Sequence, residues 1–325
     1  MKRYLLIAAM LICILVGATA QVTFMFSADS YVGNDYLKST MEKNISRLLT
    51  QIDAAGRSGR QPDLKNVNIQ KEAAERLYNL WGTIHLTLED DYIAQPCLND
   101  MQGFQVRNIR VEILPLDGTY KGSTNREMTV SLDKNGQITG VRLSLENQES
   151  MAKIMDSGKA VTDERERREI LKWVEDFRSY YNEKDTSALN RIFSDDALII
   201  TGSIIKPQKN LGSDFKLKEK AQIRYTKQTK EQYISRLGKL FDNVRYINVD
   251  FDNISVSRNG AHPEIYGVML KQDWKTSGYC DSGWVFLLWD FSDENRPQIH
   301  VRTWQPEYTV KSDNDIFNMG DFVIP

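Results

Sequence analysis

The chain has 325 residues, 41% of them apolar and 10% aromatic. That composition suits packed globular cores, and the length left after residue 20 is enough for two ordinary domains. A formal charge of −2 excludes a global pull toward nucleic acid or an anionic membrane, and three cysteines are too few for a disulfide framework.

Lys2 and Arg3 precede an apolar run from Leu5 to Val16, and Gly17-Ala18-Thr19-Ala20 follows with a small-x-small pattern. This order predicts a signal peptide over residues 1–20, cleaved before Gln21. The mature protein is then expected in the periplasm, at the cell surface or outside the cell. The apolar run is shorter than the roughly 20 residues a spanning helix needs, so an uncleaved anchor is the weaker alternative. Leu11-Ile12-Cys13 lacks the small residues expected before a lipidated cysteine. No later stretch has the length and hydropathy of a transmembrane segment. Cleavage leaves Cys97 and Cys280, either free or bridged across their long separation.

Residues 21–34 read as a loose lead-in. Leu37, Met41, Ile45, Leu48, Leu49 and Ile52 recur at helical spacing and predict a helix over 36–55, ended by Gly56-Arg57-Ser58-Gly59. A second helix is expected over 69–81. Strands follow over 84–88, 105–114, 127–132 and 138–145. Asp133-Lys134-Asn135-Gly136 reads as a hairpin turn, because Asn-Gly tolerates positive φ. A first domain over 35–146 is therefore expected, then a polar connector over 147–161.

The pattern then restarts. Thr162 opens a long helix, and a short one follows over 186–193. Ser194-Asp195-Asp196 leads into a strand over 197–202. Residues 206–230 read as a loop-like insertion, with eight Lys or Arg against Asp214 and Glu219, a local charge of +6. A helix over 232–241 and strands over 246–257, 265–275, 283–291 and 298–304 complete a second domain over 162–307. A polar, extended tail is expected over 308–325. Both halves begin with helices and end in strand hairpins. Asp133-Lys134-Asn135-Gly136-Gln137-Ile138 is echoed by Asp293-Glu294-Asn295-Arg296-Pro297-Gln298-Ile299. We read this as divergent tandem duplication.

Three segments carry a family resemblance: Ile170-Leu171-Lys172-Trp173-Val174-Glu175-Asp176-Phe177, Tyr180-Tyr181-Asn182-Glu183-Lys184-Asp185, and Leu189 to Ala197 with its Asp195-Asp196-Ala197. Over residues 163–202 the chain resembles the nuclear transport factor 2-like (NTF2-like, SnoaL-like) superfamily, which includes ketosteroid isomerase-like and polyketide cyclase-like proteins. The N-terminal half resembles it only through its echo of the second. The resemblance implies an α+β fold of two cone-shaped domains, each a curved antiparallel sheet packed on helices with a pocket at the wide end. It fixes no function, since the superfamily holds enzymes and plain binding modules alike.

His300, Arg302 and Trp304 alternate with Ile299, Val301 and Thr303, which puts the first three on one strand face. They could line a pocket for an anionic or aromatic ligand. The ordinary reading puts the apolar set inside and the triplet outside. Trp284, Phe286 and Leu288 alternate with Val285, Leu287 and Trp289, so both faces of that strand are apolar. Its second face is expected to meet a partner domain or another chain. Asp195 and Asp196 point to opposite faces and form no paired-carboxylate site. Tyr180, Tyr266 and Asp290 are further pocket candidates. Lys216, Lys218, Lys220 and Arg224 are candidates for contact with an acidic partner, beside the plainer reading of a solvated loop. His85, His262 and His300 have no zinc spacing, and no cofactor motif is present. The expected role is a non-catalytic binding or assembly module without cofactor or metal, whose partner is a protein or a small apolar ligand and not nucleic acid, and for which a homo-oligomer is open. The alternatives are a pocket enzyme acting on an apolar small molecule, and an envelope scaffold that uses the basic loop.

Overall fold

The computed structural model describes residues 21–28, 30, 32–99, 103–116, 118, 123–145, 151, 154–155, 164–205, 222–293 and 296–324. The expected signal segment, most of the connector and most of the basic insertion lie outside these residues. Two compact units emerge, one up to Asn99 with Gly103–Val141 and one from Arg142 onward. No described helix is long and apolar enough to cross a membrane.

The first unit has two helices, α1 (Asp35–Ser58) and α2 (Lys71–Trp81). Asn34 caps α1 by accepting from the Leu37 N–H, and Gly59 ends it at φ 65, a left-handed conformation that suits glycine. Met41, Ile45, Leu48, Leu49 and Ile52 are buried on one face, as the spacing requires. The main sheet runs β2 (Ile84–Leu88), β5 (Gly103–Pro115), β6 (Asn125–Asp133), β7 (Ile138–Leu143), with β4 (Leu98–Asn99) beside β5. At the hairpin, the Asp133 carboxylate accepts from the Asn135 and Gln137 N–H groups, both at 2.9 Å, and Gly136 has φ 81.

The lead-in is not loose. Residues Thr23–Phe26 form β1, paired in parallel with β3 (Tyr92–Gln95). Its other edge rests on α1: the N–H groups of Val22, Phe24 and Phe26 donate to Thr50, Ser46 and Glu42 side chains at 2.9–3.0 Å. Two strand residues rise about 6.7 Å and four helix residues about 6 Å, so the two repeats stay in step. Helix periodicity hides this match, because Glu42, Ser46 and Thr50 look like an ordinary polar face.

The second unit has helices α3 (Glu164–Asn182), α4 (Thr186–Ile192) and α5 (Lys230–Asn243). Its six strands are β8 (Phe193–Ile205), β9 (Gln222–Gln228), β10 (Ile247–Arg258), β11 (Ile265–Thr276), β12 (Cys280–Asp290) and β13 (Gln298–Pro306), ordered β10-β11-β12-β13-β8-β9. The sheet is antiparallel except where β13 meets β8. The insertion therefore contains a strand, β9, that its basic composition concealed.

The family-like wording has a local physical basis. Asn182 donates to the Val249 carbonyl at 3.0 Å and accepts from the Val249 N–H at 2.6 Å, so it stands in for a missing neighbour of edge strand β10. Asp185 caps α4 by accepting from the Ala188 N–H at 2.8 Å. Between them Lys184, at φ 56, donates to the Phe241, Val244 and Arg245 carbonyls at the end of α5.

The main core lies between the helices and one sheet face, with Phe177, Tyr181, Phe193, Leu287 and Trp289 fully buried. A smaller core lies on the opposite face, where Ile265, Phe286, Leu288 and Val301 meet Phe317, Met319, Phe322 and Ile324. The second apolar face of β12 thus meets this chain's own tail. The tail is not simply extended and polar. It forms three short 3-10 turns, Glu307–Thr309, Asp313–Asp315 and Met319–Asp321. Gln305 fastens it, donating to the Asp315 carbonyl at 2.8 Å and accepting from the Phe317 N–H at 3.0 Å.

Candidate functional site

A cleft of about 650 Å³ opens between the outer face of the second unit's sheet and the tail. Its floor follows from strand alternation. Strand β8 presents Asp196, Leu198 and Ile200, β9 presents Tyr225 and Lys227, and β12 presents Leu288 and Asp290. Strand β13 adds His300 and Val301, two neighbours that reach the same side because register shifts occur at Ile299/Val301 and Leu288/Trp289. Phe317, Phe322 and Ile324 form the opposite wall, and His262, Glu264 and Asp321 stand at the rim.

The polar end is centred on His300. Its Nδ1 lies 3.5 Å from the Asp196 carboxylate, and its Nε2 lies 3.4 Å from that of Asp290. Asp290 also accepts from the Ser292 N–H at 2.7 Å. The Ser194 hydroxyl donates to Asp196 and holds its carboxyl below the usual carboxylate range. His262 stands 3.7 Å from Glu264. An imidazole between two carboxylates can hold a proton or pass one on. Among the described residues no group of three His, Cys, Asp or Glu is placed to hold a metal ion.

The register shift divides the triplet expected on one face of β13. His300 lines the outer cleft, whereas Arg302 and Trp304 face the helix-side core. Val301 joins the outer core, and buried Thr303 accepts from the Phe286 N–H at 3.2 Å. Neither simple assignment of the two alternating sets survives the bulge.

Arg302 belongs to a separate, buried polar cluster. Its Nη2 donates to Gln272 at 3.2 Å and its guanidinium lies 5.3 Å over the Tyr233 ring. The Tyr233 and Tyr181 hydroxyls are 2.6 Å apart. Burial, with Tyr233 alongside, pushes the Tyr181 phenol well above its ordinary value, so it stays neutral. Phe177 packs edge-to-face on Phe193 and on Trp289, at centroid distances of 5.8 and 6.5 Å. Phe177 also packs edge-to-face on Tyr181, at 5.0 Å.

Of the other pocket candidates, Asp290 joins His300 in the cleft. Tyr180 is buried in the main core, and Tyr266 packs there against Phe291 at 5.5 Å, with Arg258 5.7 Å over its ring. Arg224 is exposed on β9, while Lys216, Lys218 and Lys220 lie outside the described residues. Cys97 is buried and Cys280 exposed, and both are free. Sequence reasoning overlooked Asp196 as a partner of His300 and missed the tail as a wall. The alternating apolar outer residues of β8 and β12 were the available signal.

No family model matches the chain, and no characterised protein sequence does. By structure the chain is similar to ActVI-ORFA of Streptomyces coelicolor, at 10% identity, over 44% of this chain and 97% of that one, with a TM-score of 0.31. It is also similar to a protein of unknown function with a cystatin-like fold from Nostoc punctiforme, at 11% identity over 47% and 98% of the two chains, TM-score 0.32. A third likeness is to a designed protein, Rd1NTF2_04 with long sheet, at 14% identity over 41% and 97%, TM-score 0.27. Likenesses of this depth establish neither activity nor ligand.

Proposed function

We propose that the mature chain is an exported, non-catalytic binding module that takes up a small apolar molecule in the outer cleft of its second unit. The observation that carries this reading is the cleft itself: apolar floor, aromatic wall, and one concentrated polar end. Its volume lies in the range of small-molecule sites, which pair apolar lining with a few orienting polar groups. Export rests on the Lys2-Arg3, Leu5–Val16, Ala18-Thr19-Ala20 pattern. We also read the two units as diverged NTF2-like domains, supported by the wording of residues 163–202 and by the pair of helices that precedes the main sheet in each.

The neutral dye Nile red tests the site. It should bind saturably at one molecule per chain, and Leu198→Arg should abolish binding while the chain keeps a cooperative melt. Binding that never saturates, or that ignores the substitution, would remove the cleft as the site. Export is tested by N-terminal sequencing of protein recovered outside the cytoplasm, which should begin at Gln21. A start at Met1 would overturn cleavage.

One observation favours a second reading, an enzyme acting on an apolar substrate. His300 between Asp196 and Asp290 is an arrangement that can take and return a proton. Turnover of an apolar substrate that His300→Gln abolishes, with binding retained, would replace the binding module by the enzyme.

A further inference from the structure

We infer that the occupant of the cleft is a cationic amphiphile, an apolar ring or short chain carrying a protonated amine that sits against His300 and its two carboxylates. The inference rests on the reading of the cleft as a ligand site and adds the chemical class.

The argument begins with hydrogen counting. A neutral imidazole has one N–H donor and one bare nitrogen acceptor. His300 has a carboxylate on each side, Asp196 at 3.5 Å from Nδ1 and Asp290 at 3.4 Å from Nε2. Whichever tautomer it adopts, one carboxylate faces the N–H and the other faces the lone pair. That second contact sets two acceptors against each other with no proton between them. Both distances also exceed those of a close charge-assisted hydrogen bond. A donor supplied by a ligand at this point would satisfy both acceptors, and a positively charged donor would satisfy them best.

The rest of the cleft agrees in sign. Asp196, Glu264, Asp290 and Asp321 line it, with Lys227 as its fixed cation. Each of these carboxylates has one local partner, Asp321 the Asn318 N–H, Glu264 His262, Asp196 the Ser194 hydroxyl and Asp290 the Ser292 N–H, but only Asp196 and Asp290 converge on one point, the two edges of His300. Buried Arg302, two residues from His300, faces the opposite side of the sheet and cannot meet an anion here. An acidic ligand would therefore meet four carboxylates against the one fixed cation, Lys227. The apolar floor at Leu198, Ile200 and Leu288 and the Phe317–Phe322 wall accept the remainder of the molecule. The cleft should therefore rank a cation above a neutral molecule and a neutral molecule above an anion.

Three isosteric probes separate these cases: 4-phenylbutylamine, 4-phenylbutanol and 4-phenylbutyrate, titrated calorimetrically into the mature full-length protein near neutral pH. The amine should bind at least about tenfold more tightly than the alcohol, and the butyrate more weakly than either. Asp290→Asn should bring the amine's affinity down to that of the alcohol and leave the alcohol unchanged. If that variant fails to fold, Asp196→Asn should narrow the preference in the same direction. Equal binding of amine and alcohol, or a preference unaffected by either substitution, would overturn the cationic class while leaving an apolar ligand site intact. Failure of all three probes to bind would remove the site and the class together.

Discussion

Phe286 of β12 and Phe322 of the tail stack face to face, with ring centroids 5.7 Å apart and planes within 1° of parallel. The contact joins the outer sheet face to a segment whose composition gave no sign of packing. Phe286 is buried, and Ile265, Leu288 and Val301 lie beside it under the same cover. Phe322→Ala should therefore cost about 1–3 kcal/mol, less than a fully buried phenylalanine because Phe322 is itself half-buried. Removal of residues 313–325 should do more, exposing the patch and driving self-association. Denaturant melts and light scattering check the two effects. A truncated chain that stays monomeric and equally stable would show that the tail adds nothing.

Acid should loosen the tail. Glu307 pairs with Lys271 at 2.7 Å, and that hydrogen bond holds its carboxyl below the usual 4.5. Asp315 accepts from the Lys311 and Ser312 N–H groups and is lowered from 3.8. A carboxylate depressed by folding adds stability above its unfolded value and loses it as pH falls through the folded one. Tail protection should accordingly be full above about pH 5 and fade below about pH 4. Hydrogen exchange of residues 307–322 across that window reads this directly, and Glu307→Gln should flatten part of the response. Because the pair is partly exposed, its contribution should stay below about 1 kcal/mol.

Arg302 divides volume from charge. Its guanidinium is buried among Gln272, Tyr181 and Tyr233. Arg302→Ala should destabilise by about 3–5 kcal/mol, since it leaves a cavity and removes those partners. Arg302→Met keeps most of the volume and should recover more than half of that loss. Equal melting midpoints for the two variants would mean that the guanidinium's polar contacts dominate.

Asn182 is the test of the edge-strand device. Asn182→Ala removes both bonds to Val249 and should cost about 1–3 kcal/mol, with faster amide exchange at Val249. Asn182→Asp retains the acceptor but not the donor, so it should fall between the two. An alanine variant with unchanged exchange at Val249 would show that β10 needs no such clamp.

The cysteines should separate by reactivity. Burial pushes the Cys97 thiol up to about 12, so it remains protonated through pH 8. Cys280 is exposed. Iodoacetamide at pH 8 should alkylate Cys280 alone in the folded protein and both residues after denaturation, as mass spectrometry would read. Equal labelling of the two in the native state would contradict the burial of Cys97.

The local order of this chain was legible in its sequence because it depends on neighbours. Met41 to Ile52 mark a helix by spacing, Asn135-Gly136 mark a hairpin by backbone tolerance, and Val285 to Trp289 mark a strand buried on both faces. Asn182 and Asp185 stood out as a motif, although only the fold reveals that one clamps an edge strand and the other caps a helix. The candidate site was legible in part: His300 and Asp290 could be singled out as chemistry-bearing residues, but not as neighbours. Their meeting requires the β12–β13 pairing, and a register shift beside Val301 that breaks strict alternation and separates His300 from Arg302. Asp196 enters through the parallel pairing of β8 with β13, and the tail becomes a wall only because the outer face of β12 lacks other cover. Such contacts join residues far apart in the chain, and no periodicity records them. The sequence by itself thus determined most of the helices and strands and the expectation of export, while tertiary structure alone decided that the lead-in and the basic insertion carry strands, how β13 divides its side chains between two faces, and which of them share the cleft.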